Sequence, residues 1–248
     1  IFAEKKAKAE AMGGPEKLAR RRAAGVLNAR ERVTKLVDPG TFIESGLFGT
    51  SGSRPEDHDR SPADGKVAGF AKIDGRECAV VANDFTVMGA SSGATNGRKI
   101  GHMKRVATSR GLPMVFLGES SGARMPDHMG ARGMGALLGN DPTQYARMRE
   151  TPWASATLGL SYGSSSWYAV LSDFCVLRKG AVLAVSSAQL ASLAIKEEVD
   201  PQVMGGWQVH AEVTGFADYV AETDEEALQL VLEPGFSTAN RLTQQAGR

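Results

Sequence analysis

The apolar run Leu112-Pro113-Met114-Val115-Phe116-Leu117, followed by Gly118-Glu119-Ser120-Ser121-Gly122-Ala123-Arg124, decides the fold of this chain. A buried strand that ends in small residues and then opens a helix leaves backbone N–H groups free, and such groups stabilise developing negative charge. The sequence predicts a strand over 112–117 and a turn over 120–124. We call this turn the first corner. The N–H of Gly122 or Ala123 is expected to donate to an oxyanion, although an ordinary strand-to-helix turn has the same composition.

A second segment of the same kind follows about forty residues later and reads Gly159-Leu160-Ser161-Tyr162-Gly163-Ser164-Ser165-Ser166-Trp167. Its turn, Gly163-Ser164, is the second corner, and free N–H groups and a helix dipole both favour an anion there. One predicted strand ends at each corner, so we expect both loops at the same sheet edge. Together Gly122, Ala123, Gly163 and Ser164 are predicted to form an oxyanion hole, the catalytic element of a chain without a convincing side-chain nucleophile.

The rest of the chain alternates between predicted strands and helices, which favours an α/β fold with a largely parallel sheet. Asp74-Gly75 is a strong hairpin signal between two short strands. Residues 50–64 are polar and predict an exposed loop. The predicted helices are 3–11, 15–35, 98–110, 125–138, 143–150, 165–172, 187–196 and one that begins after Thr223, and the predicted strands are 67–73, 77–82, 112–117, 154–160, 174–177, 182–185 and 219–220.

Composition excludes several functional classes. The 248 residues carry a net charge of +1, with ten Lys/Arg and four Asp/Glu concentrated in residues 4–35. These charges alternate with Glu and Ala and lack stacking aromatic residues, so we expect a solvated helix face and no nucleic-acid partner. No apolar run is long enough to span a membrane, and the four histidines show no metal-ligand spacing. Two isolated cysteines predict reduced, buried thiols and a cytoplasmic location, with the mitochondrial matrix as an alternative.

Residues 25–235 resemble the carboxyltransferase β-type subunits of biotin-dependent acyl-CoA carboxylases, the propionyl-CoA and acetyl-CoA carboxylase family. Ser120–Arg124 resembles the Ser-Gly-Gly-Ala-Arg motif of this family, and Gly159–Phe174 resembles its second glycine corner with the Asp-Phe that follows. The other blocks that carry the resemblance are Ala29–Arg32, Leu36–Phe42, Asp64–Gly69, Asn83–Ser91 and Gly205–Gly215.

The resemblance implies a crotonase-like fold, a spiral of β-β-α units, with an N-terminal helical arm over 1–36. It places a carboxyltransferase N-terminal domain at 37–235 and the start of a linker to a missing or separate C-terminal domain at 236–248. It also implies that an acyl-CoA enolate, held by backbone amides, attacks CO2 released from carboxybiotin. No biotin-attachment Ala-Met-Lys-Met and no ATP-binding glycine loop occur in the chain, so a biotin carboxyl carrier and a biotin carboxylase are expected on other chains. The resemblance itself implies a C-terminal carboxyltransferase domain as a further partner, in an oligomer.

Residues that would contact CoA are predicted from the same resemblance. Arg30 and Arg32 are expected to bind CoA phosphates, and Gly89, Ala90 and Ser91 are expected to line the cofactor site. The chain departs from the family at Ser121, Ser164, Ala90 and Trp207, where small residues are usual, and Trp167 and Tyr168 enlarge the second turn. Extra side chains near the acyl pocket are expected either to restrict the substrate or to reflect lost activity.

Two other functions are compatible with the sequence. A crotonase-type hydratase or isomerase would need a carboxylate that projects into the oxyanion pocket, and no spacing indicates one. A non-catalytic CoA-binding assembly subunit would explain the departures at Ser164 and Trp207. A serine nucleophile is disfavoured, because the sequence indicates no His/Asp partner for the serines of either corner.

Overall fold

The computed structural model describes residues 1–52, 54–129 and 151–232. In these ranges eight strands form one mixed sheet with the order β1-β2-β3-β4-β5-β6-β8, and β7 pairs with the end of β5. Strands β1 to β3 pair antiparallel, and the pairs from β3 onward are parallel. The strands are β1 Ile43–Glu44, β2 Lys66–Ile73, β3 Arg76–Asn83, β4 Met114–Ser121, β5 Trp153–Tyr162, β6 Phe174–Arg178, β7 Val182–Ala184 and β8 Tyr219–Ala221.

Helices cover both faces of this sheet, which confirms the α/β prediction. The described helices are α1 Phe2–Glu10, α2 Pro15–Ala23, α3 Ala29–Leu36, α4 Ala94–Arg110, α5 Met125–His128, α6 Ser164–Val170, α7 Ala188–Ile195, α8 Pro201–Gly205 and α9 Asp224–Leu230. Short 3-10 turns run over Pro55–Arg60 and Pro62–Gly65, and a π-helical turn runs over Val209–Val213. No helix in the described ranges combines the length and apolar character that a bilayer crossing requires.

The core explains the apolar run of β4. Val115 and Leu117 pack with α3 and α9 on one face, whereas Met114 and Phe116 pack with α4 on the other. Because successive side chains of a strand point to opposite faces, a strand buried on both faces has a continuous apolar sequence. The prediction of a buried strand over 112–117 is therefore confirmed, and the structure adds that β4 lies in the middle of the sheet.

The N-terminal helices belong to this core. The predicted helix over 15–35 is wrong in one respect, because Gly25 has a φ of +65° and Asn28 begins a new helix, α3. The Asn28 side chain accepts hydrogen bonds from the amides of Arg30 and Glu31, and the Glu31 carboxylate accepts from the Asn28 amide, a capping box. Residues Ala29, Val33 and Leu36 of α3 are buried in the main core cluster.

Other element predictions hold with shifted ends, and some were missed. Helix α4 begins at Ala94 rather than 98, and α5 ends at His128, within the predicted helix over 125–138. The predicted exposed loop over 50–64 is partly wrong, because Ser61 and Asp64 are fully buried. The sequence predicted neither β1 nor α8. The predicted helix over 143–150, the end of the one over 125–138, the domain end at 235 and the linker over 236–248 lie outside the described residues.

Candidate functional site

The first corner leaves one backbone amide free. Strand β4 ends at Ser121, and Gly122 then has a φ of +104°, a backbone conformation that residues other than glycine rarely adopt. The Gly122 amide donates to Ser120 Oγ at 3.1 Å, and the Gly122 carbonyl accepts from the Ser92 amide at 2.8 Å. The Arg124 amide donates to the Ser92 carbonyl at 2.8 Å. Among the described residues the Ala123 amide, between these two bonds, has no acceptor.

The second corner has a similar construction. Strand β5 ends at Tyr162, and Gly163 has φ +63° and ψ −124°, which again requires glycine. Its amide donates to the Val185 carbonyl at 3.2 Å, and its carbonyl accepts from the Ser166 and Trp167 amides. The next amide, that of Ser164, begins α6, where backbone N–H groups have no partner within the helix.

The two corners meet at the carboxyl ends of β4 and β5, which confirms that they share one sheet edge. The strands are parallel neighbours with Ser121 opposite Tyr162. A Cβ placed on Gly163 would lie 3.5 Å from Gly122 Cα and 3.9 Å from the Ala123 nitrogen. The structure thus brings together the four residues that the sequence predicted as an oxyanion hole, and of the two amides considered at the first corner it leaves that of Ala123 unengaged.

The turn Met88–Ala90 packs against this pair of corners. Its three residues all have positive φ, +49° at Met88, +59° at Gly89 and +48° at Ala90, a costly arrangement for the two that are not glycine. The neighbouring Ser92 bridges the corners, because its amide and carbonyl pair with the first corner and its hydroxyl hydrogen-bonds the Ser164 hydroxyl of the second. The Ser164 side chain, which departs from the family pattern, is therefore tied to this loop.

The three residues predicted to line the cofactor site differ in how far they are exposed to a ligand. Ala90 and Ser91 are buried, and the Ser91 carbonyl accepts hydrogen bonds from Asn96 Nδ2 at 2.9 Å and Arg124 Nη2 at 3.1 Å. Gly89 is only half-buried. A Cβ on Gly89 would come within 2.6 Å of Ser121 Oγ, so a side chain at this position would collide with the first corner.

The prediction that Arg32 contacts CoA phosphates is wrong. The Arg32 side chain is fully buried, where Nη1 donates to Glu119 Oε2 at 2.7 Å and Nε donates to Asp224 Oδ2 at 2.9 Å. The predicted role of Arg30 meets a similar objection, since its guanidinium is already paired with Glu44 at 2.7 and 3.2 Å. The arm supplies ion pairs to the fold, and neither guanidinium is free for a phosphate.

Glu119 connects this arm to the first corner. Glu119 directly precedes Ser120 in the sequence. Its carboxylate accepts two hydrogen bonds from the Arg21 guanidinium, at 2.9 and 2.8 Å, and one from Arg32. Burial alone would raise the pKa of Glu119, but the two guanidinium groups outweigh it and hold the pKa below its ordinary value. The strand that carries the first corner is therefore anchored by buried charges.

A buried polar cluster under the first corner was not predicted. Arg124 Nη1 donates to Asp64 Oδ1 at 2.6 Å, and the Lys66 ammonium donates to the Ala90 carbonyl at 2.7 Å. Burial raises the pKa of Asp64 although Arg124 opposes this, and burial lowers the pKa of Lys66 to about 7. Asp64, Lys66 and Arg124 belong to segments that resemble the carboxyltransferase family. Nothing in the spacing of these residues indicates that their charged side chains are buried.

Asp127 and His128 lie in α5, directly after the first corner. Both are buried beside the corner, where Asp127 Oδ2 accepts from the Ala94 amide at 2.9 Å and His128 Nε2 lies 2.9 Å from the Ser92 carbonyl. Within the described part of the chain, no three His, Cys, Asp or Glu side chains form a group that could hold a metal ion. Cys78 and Cys175 are free and buried thiols.

The aromatic departures from the family differ in position. Trp207 packs against the cluster of Ala169, Cys175, Leu177 and Leu183, with Lys179 Nζ 5.4 Å from its ring centre. Tyr168 stacks on Phe116 at 5.1 Å between ring centres. Trp167 is 53% exposed, on the turn that follows the second corner. Trp207 and Tyr168 therefore have evident packing roles.

A mixed sheet whose adjacent parallel strands end in two neighbouring glycine corners defines the class of this α/β protein. Within the described ranges, the amide that follows each glycine has no hydrogen-bond acceptor. Residues 20–237 match the family model described as the carboxyl transferase domain. The chain belongs to this family, and its fold is crotonase-like, as the resemblance implied.

Individual relatives agree with this assignment. The chain is 34% identical to the "Uncharacterized carboxylase YngE" of Bacillus subtilis (strain 168), over 88% of this chain and 42% of that protein. It is 31% identical to the methylmalonyl-CoA carboxyltransferase 12S subunit of Propionibacterium freudenreichii subsp. shermanii, over 91% of this chain and 43% of that subunit. The transcarboxylase 12S crystal structure with methylmalonyl-coenzyme A bound superposes with a TM-score of 0.81 and 30% identity, covering 92% of this chain and 45% of that one. The chain thus spans less than half the length of these relatives.

Proposed function

We propose that this chain is the N-terminal carboxyltransferase domain of a biotin-dependent acyl-CoA carboxylase. It would move CO2 from carboxybiotin to the α-carbon of an acyl-CoA. The observation that supports the proposal is the contact between the two glycine corners, because a Cβ on Gly163 would lie 3.9 Å from the Ala123 nitrogen and the Ser164 amide follows Gly163 directly. Two preorganised N–H donors are suited to a thioester oxygen that gains negative charge as an enolate forms.

The steps of the proposed reaction need little from the side chains of this domain. Removal of the α-proton turns the thioester into an enolate, whose oxygen accepts hydrogen bonds from Ala123 and Ser164. The enolate carbon then forms a bond to CO2. Carboxybiotin, when bound, would supply CO2 by cleavage of its N–C bond and, at the ureido nitrogen freed in this way, the base for the α-proton. The roles of this chain are to bind the thioester, orient it and stabilise the oxyanion.

The hydratase or isomerase alternative receives no support from the two carboxylates closest in sequence to the first corner. Glu119 is held by two arginines, and Asp127 accepts from the Ala94 amide and lies 3.8 Å from Arg124. Both carboxylates are buried, so neither is presented to a substrate for the proton exchange that this chemistry requires.

We infer that the partner of this domain is a second carboxyltransferase domain, with biotin carried on a separate carrier protein. Apolar side chains are exposed on the consecutive segments that follow β7, and they include Val185, Leu190, Leu193, Ile195 and Val203. Such exposure on neighbouring segments is typical of a covered surface. The relatives are about twice as long as this chain, so a second domain of similar size is the occupant that fits their length. The two buried thiols suit a cytoplasmic location.

Loss of carboxylate from malonyl-CoA and methylmalonyl-CoA tests the proposal, measured with free biotin or the biotin carrier and the complete complex. Biotin-dependent release of acetyl-CoA or propionyl-CoA is the expected result, and the ratio of the two rates ranks the acyl groups. The matched control is the same complex without biotin. Acyl-CoA binding without turnover, with the second domain and the carrier confirmed present, would instead support a non-catalytic CoA-binding subunit.

A further inference from the structure

Lys66 is a buried lysine whose position the carboxyl-transfer reaction does not by itself explain. It is the first residue of β2, its side chain is 1% exposed, and its ammonium donates to the Ala90 carbonyl at 2.7 Å. Removing an amine from water is costly unless it finds partners, and burial accordingly lowers its pKa to about 7. A buried lysine next to the first corner is therefore a candidate for a role in the function of that corner.

A continuous chain of hydrogen bonds leads from this amine to the first corner. The Ala90 carbonyl that accepts from Lys66 also accepts from Ser120 Oγ at 3.1 Å. The same Ser120 oxygen accepts from the Gly122 amide at 3.1 Å. The chain of hydrogen bonds therefore runs from Lys66 Nζ through the Ala90 carbonyl oxygen and Ser120 Oγ to the Gly122 amide.

The Gly122 residue at the end of this chain sets the direction of the free amide. Its N–H is fixed by Ser120, and its carbonyl, in the peptide shared with the Ala123 N–H, is fixed by the Ser92 amide at 2.8 Å. With both sides of Gly122 held, the Ala123 N–H has one orientation. The Met88–Ala90 turn, with two non-glycine residues at positive φ, would not keep its shape without such partners.

We propose that Lys66 is a positioning residue of the oxyanion site, which fixes the Gly122–Ala123 peptide through the Ala90 carbonyl and the Ser120 hydroxyl. The proposal rests on the proposed carboxyl transfer for its kinetic consequences. The immobilisation of the first corner by Lys66 does not depend on which reaction takes place there.

Lys99 provides a matched control within the same cluster. It is also a buried lysine, and burial lowers its pKa to about 8. Its ammonium donates to the carbonyls of Lys66 and Ala63, which belong to β2 and to the turn before it, and makes no bond to Ala90 or the first corner. Methionine replaces either lysine with a side chain of similar length that has no donor.

The test compares Lys66→Met, Ser120→Ala and Lys99→Met in the complete complex. We expect kcat for decarboxylation of malonyl-CoA to fall about 10- to 100-fold in the first two, with KM within about threefold of wild type, because amide direction matters most in the transition state. Lys99→Met should keep kcat within about twofold. The double variant Lys66→Met/Ser120→Ala should lose little more than the larger single loss, since both act through one chain of bonds.

Backbone hydrogen exchange of residues 118–124 in the same samples separates this inference from the proposed function. Exchange should accelerate about tenfold in Lys66→Met and Ser120→Ala but not in Lys99→Met. Accelerated exchange without turnover in wild type would retain the positioning role and reject carboxyl transfer. Wild-type kcat and exchange in Lys66→Met, or an equal kcat loss in Lys99→Met, would overturn the proposal. If Lys66→Met does not fold, Ser120→Ala decides by the same two measurements.

Discussion

The two glycine corners share a shape but are held in different ways. The first corner rests on buried charges, with Glu119 paired to two arginines on one side and Arg124 and Lys66 on the other. The second corner is held by neutral bonds, from the Gly163 amide to Val185 and from the Ser166 hydroxyl to the Ala184 carbonyl at 2.6 Å. Buried ion pairs fix one geometry at a cost in desolvation, whereas backbone pairing with a short strand leaves the second corner next to an exposed apolar surface.

This difference assigns the corners separate tasks. The first corner is built to keep one orientation within the domain itself. The second corner is followed by Trp167 and Val170, which are 53% and 55% exposed, and it lies beside Val185, which is 69% exposed. We therefore expect changes at the first corner to affect both stability and turnover, and changes at the second to affect mainly the cleft and its partner.

Gly163→Val is expected to have the largest effect of the changes that probe this comparison. A Cβ at this position points at Gly122 Cα at 3.5 Å, and the φ of +63° is strained for valine. We expect kcat/KM for malonyl-CoA decarboxylation to fall about 100-fold or more, as when an oxyanion donor is lost. Binding of CoA itself, measured by calorimetry, should change little. Unchanged turnover in this variant would show that the second corner does not hold the thioester oxygen.

Glu119→Gln tests the charged anchor of the first corner. The substitution leaves Arg21 and Arg32 buried against a neutral amide, so the free energy of unfolding should fall by about 3 kcal/mol or more in urea denaturation. The matched control is Glu16→Gln, because Glu16 pairs with Arg20 in an exposed position and should contribute little. Equal stability of the two variants would contradict the view that buried charges hold this corner.

The pH dependence of stability gives a smaller and more specific test. The pKa of Lys66 is about 7 in the folded chain and has an ordinary value of 10.5. Between these values the unfolded chain keeps a proton that the folded chain has lost, so the free energy of unfolding contributed by this group rises with pH, by up to about 1.4 kcal/mol per pH unit. Urea denaturation at pH 7.5 and 9 should show this rise in wild type and a smaller one in Lys66→Met. Equal rises in the two proteins would mean that the amine is not buried as described.

Ser164→Gly should have the smallest effect. It removes the hydroxyl that bonds Ser92 and restores the glycine usual in the family, so the cleft should widen without losing the corner. We expect stability to change by less than about 1 kcal/mol, the usual value of one hydrogen bond. The ratio of kcat/KM for methylmalonyl-CoA over malonyl-CoA should rise a few-fold. Ser92→Ala removes the same bond and keeps the Ser164 side chain, so an equal rise there would assign the effect to the bond instead of the space.

Local sequence patterns were sufficient for the corners and the sheet. The run over 112–117 had the apolar continuity of a strand buried on both faces, and Gly122 and Gly163 occur where their φ angles require glycine. Elements with weaker signals were missed, such as the two-residue β1, which exists because β2 offers it an edge. The break at Gly25 could have been predicted from the Asn28-x-x-Glu31 capping box.

The roles of charged residues could not be predicted in the same way. Arg32 and Glu119 lie 87 positions apart, and nothing in either neighbourhood indicates that they meet in the core. Arg32 therefore had the appearance of an exposed cation on a basic helix, and the CoA contact was a reasonable but wrong prediction. Lys66 and Arg124 were visible only as members of family-like blocks, and their common target, the loop over 88–92, became evident only from the fold.

By itself the sequence determined the class of fold, the buried strand over 112–117 and the two glycine corners, because these depend on side-chain periodicity and on φ angles within a few residues. Tertiary structure decided which amides remain free, which arginines are buried and which loop joins the corners. Those outcomes depend on pairings between residues such as Ser92 and Gly122, or Glu119 and Arg32, whose separation along the chain carries no information about their distance in space.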